Sequence, residues 1–340
     1  MPNFSATNLV KAQARLKKRF TEAELRKRQS AATILAQKNL DILIPSHQEL
    51  RKREDRPVEG NILARSKRAT TTARTHNHTG ARGDSFVLPF TWTQFVDKFS
   101  ISLKQMDNNV FGFEETLAQQ LLNAAINIHE SIETFLIDYL FAQRTQINAA
   151  TQGGTFNATN DAFEIALANK ARFYQLAKSM MRQNNYKGTF DVIASPQTYV
   201  DGEFYANQGG GNATNTNFQF DGLNIVESVE LEDANYAGGI SLIMPAGQFA
   251  MLPWIPKQNR EGWGDYNSYA GGYGSIEDPL GSGLVLAVHG YTERADTSAA
   301  NGNAQDNVLQ LEISVDIAPA VAPLSVATES IIYEVAQLIA

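Results

Sequence analysis

Few places in this 340-residue sequence hold residue types whose spacing could do chemistry. His129-Glu130 opens like the helix of a zinc protease, where two histidines four residues apart bind metal and the glutamate between them acts as base. Position 133 is Glu rather than the second His, and His129 sits close to an apolar helical stripe, so a packed histidine is the simpler reading. His76 and His78 could meet a cation from one face of an extended strand, yet no third ligand is near and the setting is basic. Gly209-Gly210-Gly211 runs into Asn212, so the Lys-Ser/Thr that completes a phosphate loop is missing. Gly272-Tyr273-Gly274 lacks the third glycine of a dinucleotide fingerprint, because Glu277 stands there, and both glycine stretches read as loops. The carboxylate pairs Glu114/Glu115 and Glu232/Asp233 fit a helix start and a loop, since negative charge is favourable at a helix N-terminus. Arg82-Gly83-Asp84 and the sequons at Asn3, Asn77, Asn157 and Asn212 are short enough to arise by chance. With no cysteine there is no disulfide and no thiolate metal site. No nucleophile, base and oxyanion set assembles; the expectation is no catalytic residue, no metal and no cofactor.

Charge is distributed far more tellingly. Residues 1–82 hold 18 Lys and Arg against 7 Asp and Glu, while the remainder holds 11 against 29. A net of +11 followed by −18 suggests a basic leading segment that meets polyanion or the acidic surface of another copy. No stretch approaches the roughly 20 apolar residues that cross a bilayer. The most apolar one, Ser241 to Pro256, is broken by Pro245, Gly247, Gln248 and Pro253. Lys11 to Phe20 is charged where a signal peptide would be apolar, so a soluble protein is expected.

Several elements have to position these charges. Leu9, Ala12, Leu16 and Phe20 recur at helical spacing, Thr21 with Glu24 has the form of a capping box, and Leu25, Ala32 and Leu35 extend the stripe, giving two helices over 7–40. So thin a stripe cannot build its own core and needs a surface to lie on. Residues 46–83 carry few core-forming side chains, a length of structureless chain that is improbable inside a compact domain. Phe86, Leu88, Phe90 and Trp92, then Phe99, Ile101 and Leu103, alternate as strands do. Leu117, Leu121, Ile128, Ile132, Phe135, Leu136 and Leu140 mark one long helix over 113–148, about 50 Å at 1.5 Å per residue. A second helix is expected over 161–183, with Phe163, Leu167, Phe173, Leu176 and Met180 inward. Strands follow at Thr189–Ala194, Asn217–Leu231, Ile240–Met244, Gly283–Tyr291 and Leu309–Ile317, the last alternating strictly with Gln310, Glu312, Ser314 and Asp316. Asn207–Asn217 and Tyr269–Gly274 read as loops, and Ser325–Ile339 as a closing helix.

This order resembles the Hong Kong 97-type major capsid fold of tailed bacteriophages. Phe190–Pro196 looks like the strand and turn after that fold's second helix, with Thr198–Tyr205 as the short helix beyond. Phe220–Val229 and Val308–Ile317 are similar to later strands of the same fold. The resemblance implies an α+β chain divided into an N-terminal helical arm (1–49), an extended E-loop hairpin with its base (50–105), a peripheral domain with a long spine helix (106–187 plus 305–340) and an axial domain (188–304). It implies a virion shell subunit and not an enzyme, forming hexamers and pentamers in the host cytoplasm and enclosing double-stranded DNA held weakly and without sequence preference. Portal, scaffold and decoration proteins are its implied partners, and no membrane. Arg65, Lys67, Arg68, Arg74, Arg82, Phe86, Phe90 and Trp92 are then expected at contacts between subunits, and Lys11, Arg15, Lys17, Lys18, Arg19, Arg26, Lys27 and Arg28 on the inner, DNA-facing side. An encapsulin-type compartment is the nearest alternative; a soluble α+β enzyme or a sequence-specific DNA-binding protein fits less well. The expectation beneath all of this is that the first hundred residues cannot satisfy themselves within one copy.

Overall fold

The computed structural model describes residues 4–63, 70, 72, 74, 76, 85–102, 112–144, 154–184, 186–208, 222–296, 305–323 and 331–339. Over 7–40, where two helices were expected, lie three, α1 (Ala6–Arg19), α2 (Glu22–Arg26) and α3 (Ala31–Lys38), and two short ones follow, α4 (Leu40–Leu43) and α5 (His47–Arg51). The capping box is present, with the Glu24 carboxylate accepting from the Thr21 amide at 2.7 Å and the Thr21 hydroxyl accepting from the Glu24 amide at 3.3 Å. Further breaks at Ser30, which caps α3, and at Pro45 turn the chain repeatedly.

For the leading helices, those turns overturn the expectation that the first hundred residues cannot satisfy themselves within one copy. Phe4, Leu9, Ala12, Leu16, Leu25 and Leu35 are buried in the same core as the long helix and both main sheets. The stripe is thin, as its sequence says, but the surface it lies on belongs to its own protomer. That surface is α6 (Phe113–Ala142), 30 residues and about 45 Å long. Of the expected inward face, Leu117, Leu121, Ile128, Ile132, Leu136 and Leu140 are buried and Phe135 is partly so.

Two sheets complete the body. One runs β10 (Gly272–Glu277), β11 (Val285–Asp296), β12 (Gln305–Val321), β3 (Thr93–Ser102), all antiparallel. β12 is 17 residues long and changes partner along its length, pairing with β3 through Ile317 and with β9 (Phe249–Trp254) from Asp316 onward. The alternation of Leu309, Leu311, Ile313, Val315 and Ile317 is a true core face. The second sheet is mixed and six-stranded: β4 (Gly154–Asn157), β5 (Ala162–Ile165), β13 (Tyr333–Gln337), β8 (Ile240–Pro245), β6 (Phe190–Ala194) and β7 (Leu223–Glu227). Its strands come from both sides of the boundary at 187/188, and β9 to β11 join β12 across that at 304/305, so strand pairing groups the chain differently from segment order. β1 (Glu59–Leu63) and β2 (Ser85–Pro89) form a separate antiparallel pair.

Three other expectations are corrected. The helix over 161–183 is instead β5, a 3-10 turn at Leu167–Arg172 and α7 (Phe173–Gln183). Phe163 and Ile165 flank Glu164 in a strand beside β13, and Leu167 is 47% exposed rather than inward. Within the closing segment, Tyr333–Gln337 is the strand β13 and not a helix. It lies between β5 and β8 with both faces covered, so it has no alternation to read, and an apolar run of that kind fits a buried strand or a buried helix equally. Its one carboxylate, Glu334, is fully buried and paired with Arg144, two residues past α6. Finally, Gly272 and Gly274 lie in β10, not in a loop. A Cβ at Gly274 would stand 2.3 Å from the Tyr266 hydroxyl, so the ring can cross this strand only because the glycines are bare. Most of the other glycine loop, 209–217, lies outside the described residues, while α8 runs from Pro196 to Gln208.

Because α1 completes its own core, Leu16→Ala should cost about 2–5 kcal/mol of unfolding free energy in denaturant titration of the unassembled protein, whereas Val10→Ala, at an exposed site on the same helix, should stay within roughly 0.5 kcal/mol.

Candidate assembly surface

The hairpin of β1 and β2 is rooted firmly. Phe90, just past β2, donates its amide to the Val58 carbonyl at 2.8 Å and lays its ring on Gly60, where a Cβ would be 2.7 Å from the ring. Ile62 and Phe90 bury with Leu50, Ala250, Leu252, Ala318 and Ala320 in a cluster of their own. Trp92 donates from Nε1 to the Pro57 carbonyl at 2.7 Å and lies with its ring centroid 6.5 Å from that of Trp254. Arg56 places its guanidinium over Trp254 and donates from Nε to the buried Asp316 at 2.8 Å. Burial pushes the Asp316 carboxyl above its ordinary range, and the Arg56 charge only partly offsets this. Arg260, on α9 (Lys257–Glu261), clamps the same stretch by donating to the Arg51 carbonyl at 2.7 Å and the Arg53 carbonyl at 2.6 Å.

Between the two strands run 21 residues, Ala64 to Asp84, without a single apolar side chain larger than alanine and with five Lys and Arg against one Asp. Arg65, Lys67, Arg68 and Arg82 lie outside the described residues, and Arg74 is exposed. Phe86 and Trp92 are half-buried at the root, while Phe90, at 7% exposure, is enclosed by its own chain. Phe90 and Trp92 therefore anchor the hairpin at home, and the sequence that joins its strands is basic. β1, Arg56 and Arg260 have no signature in the sequence beyond the basic run Arg51-Lys52-Arg53 beside them.

The basic residues of the leading helices divide into two groups. Arg15 pairs with Glu114 at 2.6 Å and Glu115 at 3.2 Å, and Lys11 with Glu114 at 3.8 Å, so the acidic first turn of α6 is met by α1. Arg19 reaches Gln119 and, like Arg28, lies over the Phe20 ring; Arg26 pairs with Glu22 along α2. Lys17, Lys18 and Lys27 are exposed. These are surface contacts, each contributing about 0–1 kcal/mol.

His129 and Glu133, the residues that resembled a metal helix, hold a helix instead. The Ser30 amide donates to His129 Nδ1 at 3.1 Å, which leaves the ring proton on Nε2 to be donated to Asp278 at 2.9 Å. The Ala31 amide donates to Glu133 at 3.2 Å. Two of the orphan amides at the start of α3 are thereby satisfied by side chains one turn apart on α6. Ser30, His129 and Asp278 have the types of a hydrolytic triad, yet all three are buried, and the Ser30 hydroxyl accepts from the Thr33 amide and caps α3. Burial alone would raise the Asp278 carboxyl, but bonds from His129 and from the Ser282 and Leu280 amides outweigh it and hold the group below its ordinary range. Among the described residues no cluster of three or more His, Asp or Glu could hold a metal, and no helix is long and apolar enough to cross a membrane.

No protein-family model matches the sequence, and no curated protein does. Among solved structures, a chain of Mycobacterium phage Che8 superposes with TM-score 0.43 and 11% identity over 87% of this chain and 90% of that one. A chain of the bacteriophage PhiM1 mature capsid gives TM-score 0.42 and 12% identity over 84% of each. One from the capsid asymmetric unit of cyanophage Pam1 gives 0.44 and 11% over 88% and 92%. Likeness at this level leaves the function to be argued from the chain's own residues.

Burial raises the Glu133 carboxyl above the 4.5 of a free glutamate. A raised carboxyl favours the fold while protonated, and that contribution disappears as pH climbs from below 4.5 through the folded value. Glu133→Gln, which keeps an acceptor for Ala31 and does not titrate, should match wild type near pH 4 and gain on it as pH rises until the folded carboxyl is ionised, the difference then staying constant, in paired chemical denaturations.

Proposed function

We propose that this chain is the major capsid protein of a tailed bacteriophage, with a Hong Kong 97-like fold, and that it assembles through hexamers and pentamers into an icosahedral shell around double-stranded DNA. The observation that carries this reading is the contrast within the hairpin: a root fixed by Phe90 and Trp92 and a 21-residue connection with no apolar side chain larger than alanine. Hairpin connections are ordinarily two to five residues long, and one this long is usually functional. The rest of the protein, net −18 beyond residue 82, gives five Lys and Arg of that connection an acidic surface on another copy.

On this reading Arg65, Lys67, Arg68, Arg74 and Arg82 lie across a neighbouring subunit, while Phe86, Phe90 and Trp92 fix the direction from which they reach it. Contacts of this kind are weak singly and repeat around every ring, which lets wrongly placed subunits leave again. The long helix α6 with the five-stranded sheet forms the peripheral part, and the six-stranded sheet the axial part. The exposed face of α1 and α2, with Lys17, Lys18, Arg19, Lys27 and Arg28 and, more tightly held, Lys11, Arg15 and Arg26, turns toward packaged DNA and is screened by salt. Portal, scaffold and decoration proteins complete the virion, assembled in the host cytoplasm.

Electron microscopy of purified protein should show closed particles with pentameric and hexameric rings. Replacing the five basic residues of the connection by Gln should leave the melting temperature unchanged and weaken subunit association by about 30- to 150-fold, at roughly 0.5 kcal/mol per exposed contact. Monomers under every assembly condition, or a neutralised variant that assembles like wild type, would sink the proposal.

A further inference from the structure

Beside the hairpin root is a cavity of about 460 Å³ between α5, the end of β9 and strands β10 and β11. Its charged and polar lining includes Arg51, Lys52, Arg260, His47 and Ser275, with Trp254 as an apolar wall, and among the described residues no Asp or Glu lines it. His47 faces Asp41 at 3.4 Å outside the cavity, and Glu54 is taken up by Lys257 at 3.0 Å.

Arg51 is half-buried, and among the described residues no carboxylate pairs with it. Burial, uncompensated, pulls its guanidinium below the ordinary arginine range. Arg260 spends both terminal nitrogens on the Arg51 and Arg53 carbonyls, yet its Nε–H is buried without a hydrogen-bond partner. Partly desolvated cations and an unsatisfied buried donor are costly unless something fills their bonds. A planar guanidinium presents paired donors that match the oxygens of a carboxylate or phosphate.

We propose that this cavity is a binding site for an oxyanion, held by Arg51 with Lys52 and favoured by the positive charge of Arg260 in its wall. The site stands on the geometry of a single protomer and does not depend on the shell. Its position gives it a consequence for the hairpin, since Arg260 and Trp254 both bind the Arg53 carbonyl, six residues before β1. An anion seated here stiffens the segment from which the hairpin departs. It comes either as free phosphate or as a carboxylate of a second copy.

Isothermal titration of the unassembled full chain with sodium phosphate, against chloride of matched ionic strength, tests the site. Wild type binds, Arg51→Gln binds at least about tenfold more weakly, and Arg51→Lys recovers part of the loss. The exposed change Lys52→Gln, which does not threaten the fold, weakens binding about threefold. Absence of binding in wild type, or equal binding by wild type and both neutral variants, overturns the proposal whatever the protein's role. The source is separated by adding phosphate to an assembly reaction: slowing in wild type but not in Arg51→Gln identifies a carboxylate of a second copy, and unchanged assembly identifies the free anion.

Discussion

A 30-residue helix with a broad apolar surface has to be covered on more than one side, and that requirement organises this protein. The buried residues of α6 include Leu117, Leu121, Ile128 and Ile132 but also Ala118, Leu122, Ala125 and His129, too wide an arc for one contact. The strands β3 and β12 take one flank, and α1 and α3 take another. The leading helices are consequently part of the core that the helix needs, and their basic residues are carried on the outside of a structural element.

The polar bonds at this junction follow from the same packing. Bringing the start of α3 against the helix flank buries backbone amides that must find acceptors. His129 and Glu133, four residues apart, present two, and Asp278 secures the imidazole from the sheet side. The arrangement that looks like a fragment of metal chemistry in the sequence is the way one helix end is satisfied away from water.

The hairpin obeys the opposite logic. Its root is tied by Phe90, Trp92, Arg56 and Arg260, whereas the chain between its strands carries no apolar side chain larger than alanine. A tied root and a long basic connection are the features on which the proposed contact with another subunit rests. The proposed anion cavity lies at that origin, where Arg51 is half-buried and, among the described residues, no carboxylate pairs with it.

Periodicity and composition by themselves determined the α+β class, the long helix, the Leu309–Ile317 core strand, the Thr21 capping box and the division of charge, because each is written in local spacing or in counts. Only the tertiary structure decided that the leading helices fold home, that Tyr333–Gln337 is a central strand, that 161–183 is split, and that Gly272 and Gly274 serve a strand under Tyr266. Each of these depends on what lies across from the segment. A thin apolar stripe is the same sequence whether its own body or a neighbour covers it, and a strand buried on both faces loses the alternation that would have revealed it.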